Sequence, residues 1–172
     1  NERGMSTVPP SIAMLSQLLK DDGHTTALFD TTYYEFNDDI SLEDVDGKKY
    51  ESLNFRPLPE EDDEDRFLAK TKTPALDDFR SQIKEFQPDL LAVSCTETTF
   101  RRGYKLIEHT RNFGVPNIFG GVFPTFAPKL TIEHVHVDMV CVGEGENAML
   151  DLANRIATSK SYEDITNLWV KT

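Results

Sequence analysis

Cysteine is scarce in this sequence. Cys95 and Cys141 are the only two, too few for a disulfide framework or a four-cysteine zinc site. Both fall in apolar runs that read as buried strands, so they are expected to be reduced core thiols of a cytoplasmic protein. Long hydrophobic runs are lacking as well. No stretch approaches the roughly 18 apolar residues of a membrane span, which argues against an integral membrane protein. The start Asn1-Glu2-Arg3-Gly4 has neither the basic beginning nor the apolar centre of a secretory signal. Positive charge is in deficit: 18 Lys and Arg stand against 30 Asp and Glu, a net charge of -12. Such a chain repels nucleic acid and anionic membrane at long range, so neither is an expected partner. Nucleophile and nucleotide motifs are missing too, with no G-x-S-x-G, no P-loop and no G-x-G-x-x-G. His24, His109, His134 and His136 lack ligand spacing with acids or cysteines. The i, i+2 pair His134 and His136 suits an extended segment and not a helix-face metal motif. No catalytic residue and no metal ligand is predicted.

Hydrophobic residues make up 38% and charged residues 28% of the chain, and the mean hydropathy is -0.45. A chain of 172 residues with that composition is expected to fold as one soluble domain, 1–172, with a sizeable core. The acid is unevenly spread. Much of it lies at about 37–72, including the run Glu60-Glu61-Asp62-Asp63-Glu64-Asp65, with Pro57 and Pro59 nearby and few regularly spaced apolar residues. This segment reads as an excursion with a solvated acidic face and a short helix near Asp65 to Lys70. It has no calcium-loop spacing.

Elsewhere helix and strand patterns alternate. Ile12, Leu15, Leu18 and Leu19 share one helical face over Ser11 to Asp22, with Ser11 as the N-cap and Gly23 as the stop. Thr25 to Phe29 reads as a strand. Leu76, Phe79, Ile83 and Phe86 recur at helical spacing before Pro88. Strands are predicted at Leu90 to Ser94, Asn117 to Phe119 and Asp138 to Val142. Helices are predicted at Phe100 to Phe113, Pro128 to His134 and Asn147 to Ala157, and the tail Leu168-Trp169-Val170 reads as extended. Short, continuously apolar strands are buried on both faces. The expected fold is therefore α/β, a doubly wound flavodoxin-like or Rossmann-like sheet, mostly parallel and flanked by helices. A sheet of this type usually begins with a strand before its first helix. Here the chain opens on a loop and a helix, so that first strand looks missing.

In such a sheet, ligands bind at the carboxyl ends of the strands. Those ends read Asp30-Thr31-Thr32, then Ser94-Cys95-Thr96-Glu97-Thr98-Thr99, then Gly120-Gly121-Val122-Phe123-Pro124-Thr125, then Gly143-Glu144-Gly145-Glu146. They are predicted to converge on one rim. Gly120 and Gly121 either admit a ligand against bare backbone or make a tight turn. Ser94, Thr96 and Thr98 either bond a ligand or cap the next helix. Glu144 and Glu146 either accept from ligand amides or complement a helix dipole. No lysine follows the glycine loops, so a ligand with a single phosphate suits the chain and a polyphosphate does not.

Read together, these loops resemble the cobalamin-binding domains of B12-dependent radical SAM enzymes. Pro9-Pro10-Ser11, then Asp22-Gly23-His24 and Leu28-Phe29-Asp30 resemble the family's opening helix and "G-H-x-V-x-x-x-D". Pro88-Asp89-Leu90-Leu91-Ala92-Val93-Ser94 is similar to "P-D-L-V-G-I-S". Gly120-Gly121-Val122-Phe123-Pro124-Thr125 is similar to "G-G-x-H-P-T", and Asp138 to Glu146 to "D-x-V-V-x-G-E-G-E". Leu168-Trp169-Val170-Lys171 resembles the "G-L-W-Y-K" that leads into the radical SAM barrel. The likeness covers most of the chain outside the acidic excursion. It implies a cobalamin-binding module whose site is formed by Ser94, Thr96, Glu97, Thr98, Gly120, Gly121, Phe123, Pro124, Thr125, Gly143, Glu144, Gly145 and Glu146. The nucleotide tail is then buried at the strand ends and the corrin lies over the loops. Two departures matter. Phe123 replaces the usual histidine, and the D-x-H-x-x-G ligand motif is absent, so no histidine is expected beneath cobalt. The iron–sulfur motif C-x-x-x-C-x-x-C is absent as well. The resemblance therefore implies that the cluster and S-adenosylmethionine belong to a radical SAM domain of a parent protein, and that the isolated chain is not catalytic. The alternative from a different class is a flavodoxin-like regulatory or protein-interaction domain without cofactor.

Overall fold

Two neighbouring residues show how the sheet is built. Ile118 and Phe119 are 2% and 0% exposed, yet a strand sends successive side chains to opposite faces. Ile118 packs with Met139, Met149 and Leu152. Phe119 packs with Phe100, Ile107 and Val140. A strand buried on both sides requires a helical layer on each. The computed structural model of the protein supplies both layers and describes residues 9–31, 34 and 73–171. The acidic run and the short helix expected near Asp65 to Lys70 lie outside the described residues.

The chain divides into two units. Of the first, Asn1–Met5 with Asp30–Ala75, a few residues are described, and there the Tyr34 N–H donates to the Thr31 carbonyl at 3.2 Å. The second, Ser6–Phe29 with Leu76–Thr172, holds the sheet. Its strands are β1 (Leu91–Ser94), β2 (Asn117–Gly120), β3 (Met139–Cys141) and β4 (Leu168–Val170), in the order β1-β2-β3-β4. The first three are parallel and β4 runs antiparallel to β3. The helices are α1 (Pro10–Asp21), α2 (Ala75–Phe86), α3 (Glu97–Thr110), α4 (Val122–Phe126), α5 (Pro128–Glu133) and α6 (Glu146–Ala157). Leu15 and Leu19 of α1 and Ile156 of α6 cover the Ile118 face. Phe100 and Ile107 of α3 cover the Phe119 face. The expected α/β class, a mostly parallel sheet flanked by helices, is the one observed.

Several local expectations need correction. Thr25 to Phe29 is not a strand. Strand propensity makes a ladder only where a neighbouring edge offers its N–H and C=O groups, and no described strand lies beside this segment. Among the described residues no strand pairs with the outer edge of β1 either. Leu91 and Cys95 donate their N–H groups to Pro116 and Gly120 of the β2 side. Ala92 and Ser94 therefore face the other way, where no described residue bonds them, and both are exposed. Ser11 does not cap α1. Pro10 occupies the first turn, and the Pro9 carbonyl accepts the Ile12 and Ala13 N–H groups at 2.9 and 3.2 Å. Proline suits that position because its missing N–H is not needed there. The stop at Gly23 does hold. With φ +93° it closes the helix through the bonds His24 N–H to Leu19 O and Gly23 N–H to Lys20 O, both 3.0 Å, a Schellman arrangement. The tail at Leu168 is more than extended, since it pairs with β3. The sequence reading missed α4 altogether, because it is a single turn interrupted by Pro124.

Helix α3 lies close on β1. A Cβ added at the buried Gly103 would come within 2.6 Å of Val93 Cγ1. Valine is stiff at χ1, so it cannot swing away freely. Gly103→Ala is expected to cost about 1–3 kcal/mol by overpacking, read as a lower urea midpoint with an unchanged m-value. A midpoint equal to the parent's would show that the helix can move off the strand.

Candidate functional site at the carboxyl ends of the strands

Parallel register fixes the site's centre. Ser94 at the end of β1 pairs directly with Gly120 at the end of β2. The turn after Gly120 folds back on the loop after β1. Gly121 has φ +103°, and a Cβ there would sit 2.6 Å from the Cys95 carbonyl oxygen and 3.0 Å from its nitrogen. The Phe123 N–H then donates to the same Cys95 oxygen at 3.4 Å. The next loop is tied in at the far end of α4, where the Thr125 hydroxyl accepts the Gly143 N–H at 3.0 Å. Three of the four loops singled out in the sequence thus form one connected rim. Asp30 and Thr31 belong to the first unit, and Thr32 lies outside the described residues.

The candidate residues divide by what they touch. The Thr96, Thr98 and Thr99 hydroxyls bond one another: Thr96 Oγ1 lies 3.0 Å from Thr98 Oγ1 and 3.2 Å from Thr99 Oγ1. Thr99 Oγ1 also accepts the Thr96 N–H at 2.9 Å, as half of a capping box does. Capping therefore occupies Thr96 and Thr99. Phe123 and Pro124 point inward. Pro124 is buried, and the Phe123 ring centroid lies 4.8 Å from that of Phe100. Gly145 precedes α6 and Glu146 begins it, where a carboxylate complements the helix dipole. Ser94, Glu97, Gly121, Gly143 and Glu144 are exposed on the rim. Among the described residues, none bonds the Ser94 hydroxyl or the Glu97 and Glu144 carboxylates.

The two glycines are not equivalent. Gly121 is bare because backbone presses on it. At Gly120 a Cβ would meet only Cys141 Cβ, at an ordinary 3.8 Å. Spare room beside Ser94 is thus found at Gly120, whereas the sequence treated the pair alike. The nearby thiols are buried and in no disulfide; the Cys95 thiol donates to the Gly120 carbonyl at 3.8 Å and the Cys141 thiol to the Glu144 carbonyl at 4.0 Å. Burial pushes Cys95 up to about 12. Burial and the neighbouring Glu146 raise Cys141. Neither is a thiolate nucleophile near neutral pH.

The opposite end of the sheet has another character. A cavity of about 420 Å³ there is lined by Arg111, Pro116, Asp138, Tyr162 and Lys171. Its main charges are spent on structure. Asp138 accepts two bonds from Arg111, both 2.6 Å. It also accepts the Asn117 backbone N–H at 3.0 Å and the Asn117 side-chain amide at 2.7 Å. This network holds the Arg111 guanidinium above its ordinary pKa and pins the starts of β2 and β3 together. His134 and His136 precede β3, His109 ends α3, and His24 follows α1 near Asn154. None of the four histidines lies on the carboxyl-end rim. Among the described residues no group of histidine, cysteine and acid is arranged to hold a metal ion, and no helix is long and apolar enough to cross a membrane.

The sequence model of the B12 binding domain family matches residues 58–153, more than half of the chain. An uncharacterized methyltransferase of Pyrococcus horikoshii is 29% identical over 98 residues, covering 55% of this chain and 21% of that protein. The radical S-adenosylmethionine methyltransferase TsrM of Kitasatospora setae, solved with tryptophan substrate and a SAM analog, superimposes with a TM-score of 0.66 at 16% identity. The match covers 99% of this chain and 27% of TsrM. TsrM solved with cobalamin and a [4Fe-4S] cluster gives 0.63 at 17% identity, over 99% and 28%. At that identity the likeness is one of fold. The chain spans between a fifth and a third of the relatives it matches.

The glycine geometry makes a prediction. Gly121→Ala forces a Cβ into the Cys95 backbone at a left-handed φ, with a conformational cost of about 1–3 kcal/mol before any overlap. Gly120→Ala has ordinary contacts. Thermal melts are expected to show a large fall in Tm for the first and almost none for the second. Equal melts would mean that the β1 and β2 loops are not pressed together.

Proposed function

The chain belongs to the B12 binding domain family, and we propose that it holds cobalamin across the carboxyl-end rim, with the nucleotide tail entering beside Ser94 and Gly120. The observation that carries this reading is the register that sets an exposed serine directly against a glycine beside which an added Cβ meets only an ordinary contact, at the edge of β1 that no described strand pairs. The residues fit the group. Ala92, Ser94 and Gly120 are small, and Ala92 and Ser94 are exposed. Gly121 holds the two loops together beneath the ligand, and Thr125 braces the third. The exposed Glu97 and Glu144 carboxylates accept hydrogen bonds from the amides that fringe the corrin. Phe123, Pro124, Thr96 and Thr99 act from behind, by packing and capping. Bound cobalamin supplies methyl-transfer or redox chemistry, and the protein orients it.

The rest of the parent protein completes the reading. The TsrM likeness supports a place for this module in a B12-dependent radical SAM enzyme, a methyltransferase or a related one. The cluster and S-adenosylmethionine are then held elsewhere in that protein, because two cysteines cannot supply a C-x-x-x-C-x-x-C motif. Two reduced thiols favour the cytoplasm.

Purified protein mixed with hydroxocobalamin is expected to keep its colour through desalting, with a shifted visible spectrum. Ser94→Phe fills the strand-end space from an exposed position, so it is expected to weaken binding at least tenfold, roughly 1.4 kcal/mol, without lowering Tm. Colourless protein, or full binding by the variant, would contradict the proposed tail site.

A further inference from the structure

Helix α4 was not expected from the sequence, and its position is unusual. It does not run down the side of the sheet. Its beginning is held against the loop after β1 by the contact of Gly121 and Phe123 with Cys95. Its end is held against the loop after β3 by Thr125 and Gly143. The helix is therefore laid across the rim. Its inner side is Phe123 and the buried Pro124. Its outer side carries Val122 and Phe126, one turn apart, and these are 60% and 85% exposed. Phe126 is the most exposed large hydrophobic residue among those described. Single exposed apolar side chains are ordinary. Two that share a face, in the middle of a ligand rim, are informative.

Charge narrows what they meet. From Gly120 through Pro128 no residue is charged, in a chain that is 28% charged and carries a net -12. The outer face of α4 is thus a neutral, apolar strip, suited to a broad uncharged hydrocarbon surface. We propose that Val122 and Phe126 form the shelf on which the corrin macrocycle rests, so that α4 sets the height and tilt of the ring above the strand ends. This inference rests on the cobalamin reading and deepens it: Ser94 and Gly120 take the nucleotide tail, whereas Val122 and Phe126 take the ring.

Cobinamide, a corrinoid that lacks the nucleotide tail, separates the two contacts. Binding of hydroxocobalamin and of cobinamide is measured by difference spectroscopy for the parent protein, Ser94→Phe, the double variant Val122→Ser with Phe126→Ser, and Phe126→Leu. Both shelf residues are exposed, so the double variant is expected to melt like the parent. It is expected to weaken both corrinoids by about tenfold, while Phe126→Leu keeps most of the affinity. Ser94→Phe is expected to weaken hydroxocobalamin and to leave cobinamide unchanged. Undiminished corrinoid binding by the double variant overturns the shelf, and so does a parent protein that fails to bind cobinamide. A parent dimer that the double variant disperses, at unchanged affinity, overturns it in favour of a second copy covering α4. If the shelf variant binds normally while Ser94→Phe does not, the shelf falls and the tail site stands. If the parent protein binds neither corrinoid, both fall.

Discussion

The contact of Gly121 with the Cys95 backbone organises the loops at the carboxyl ends of the strands. Parallel pairing brings Ser94 and Gly120 side by side, but pairing alone would let the following loops splay. The left-handed turn at Gly121 folds the chain back until backbone meets backbone, at a distance no side chain could share. From that point α4 crosses the rim to Gly143, and the third loop is locked to the first two. A residue that would be interpreted as making room for a ligand makes room for the protein itself. The open space lies one residue earlier, at Gly120.

The two ends of the sheet divide the labour. At the amino ends, buried Asn117, half-buried Asp138 and the exposed Arg111 form a closed hydrogen-bond network that fixes β2 against β3. Such a network rewards completeness, since each donor and acceptor left unpaired is costly when buried. The carboxyl ends are built oppositely. Small residues, the Ser94 hydroxyl and the Glu97 and Glu144 carboxylates, which no described residue bonds, and an outward-facing apolar turn leave groups unspent. Unspent polar and apolar groups side by side are what a large amphipathic ligand needs.

Much of this was legible in the sequence, for reasons that can be named. Continuously apolar strands such as Asn117-Ile118-Phe119 imply two covering layers, and those layers exist. Pro10 and Gly23 bracket α1 because φ restriction and φ freedom are local properties, although Ser11 was given a capping role that Pro9 and Pro10 fill. What local pattern cannot supply is a partner. Thr25 to Phe29 has strand composition but no edge beside it, and Leu168–Val170 becomes a strand only because β3 offers one. The short helix α4 was hidden because Pro124 reads as a breaker, whereas proline is tolerated in a first turn. Likewise the loop motifs mark three loops that the structure ties together, but a string of letters does not show which of their side chains pack inward, as Phe123 and Pro124 do. Charge was the least informative guide, since the acidic 37–72 segment supplies half of the net -12 and lies outside the described residues.

The most direct test of the account is amide-resolved NMR on the ¹⁵N-labelled protein titrated with diamagnetic hydroxocobalamin. The account predicts that shift changes concentrate at Ser94–Glu97, Gly120–Phe126 and Gly143–Glu146, and that Arg111, Asp138 and Lys171 at the other end stay put. Changes centred on the Arg111–Asp138 end, or none at saturating cofactor, would contradict it.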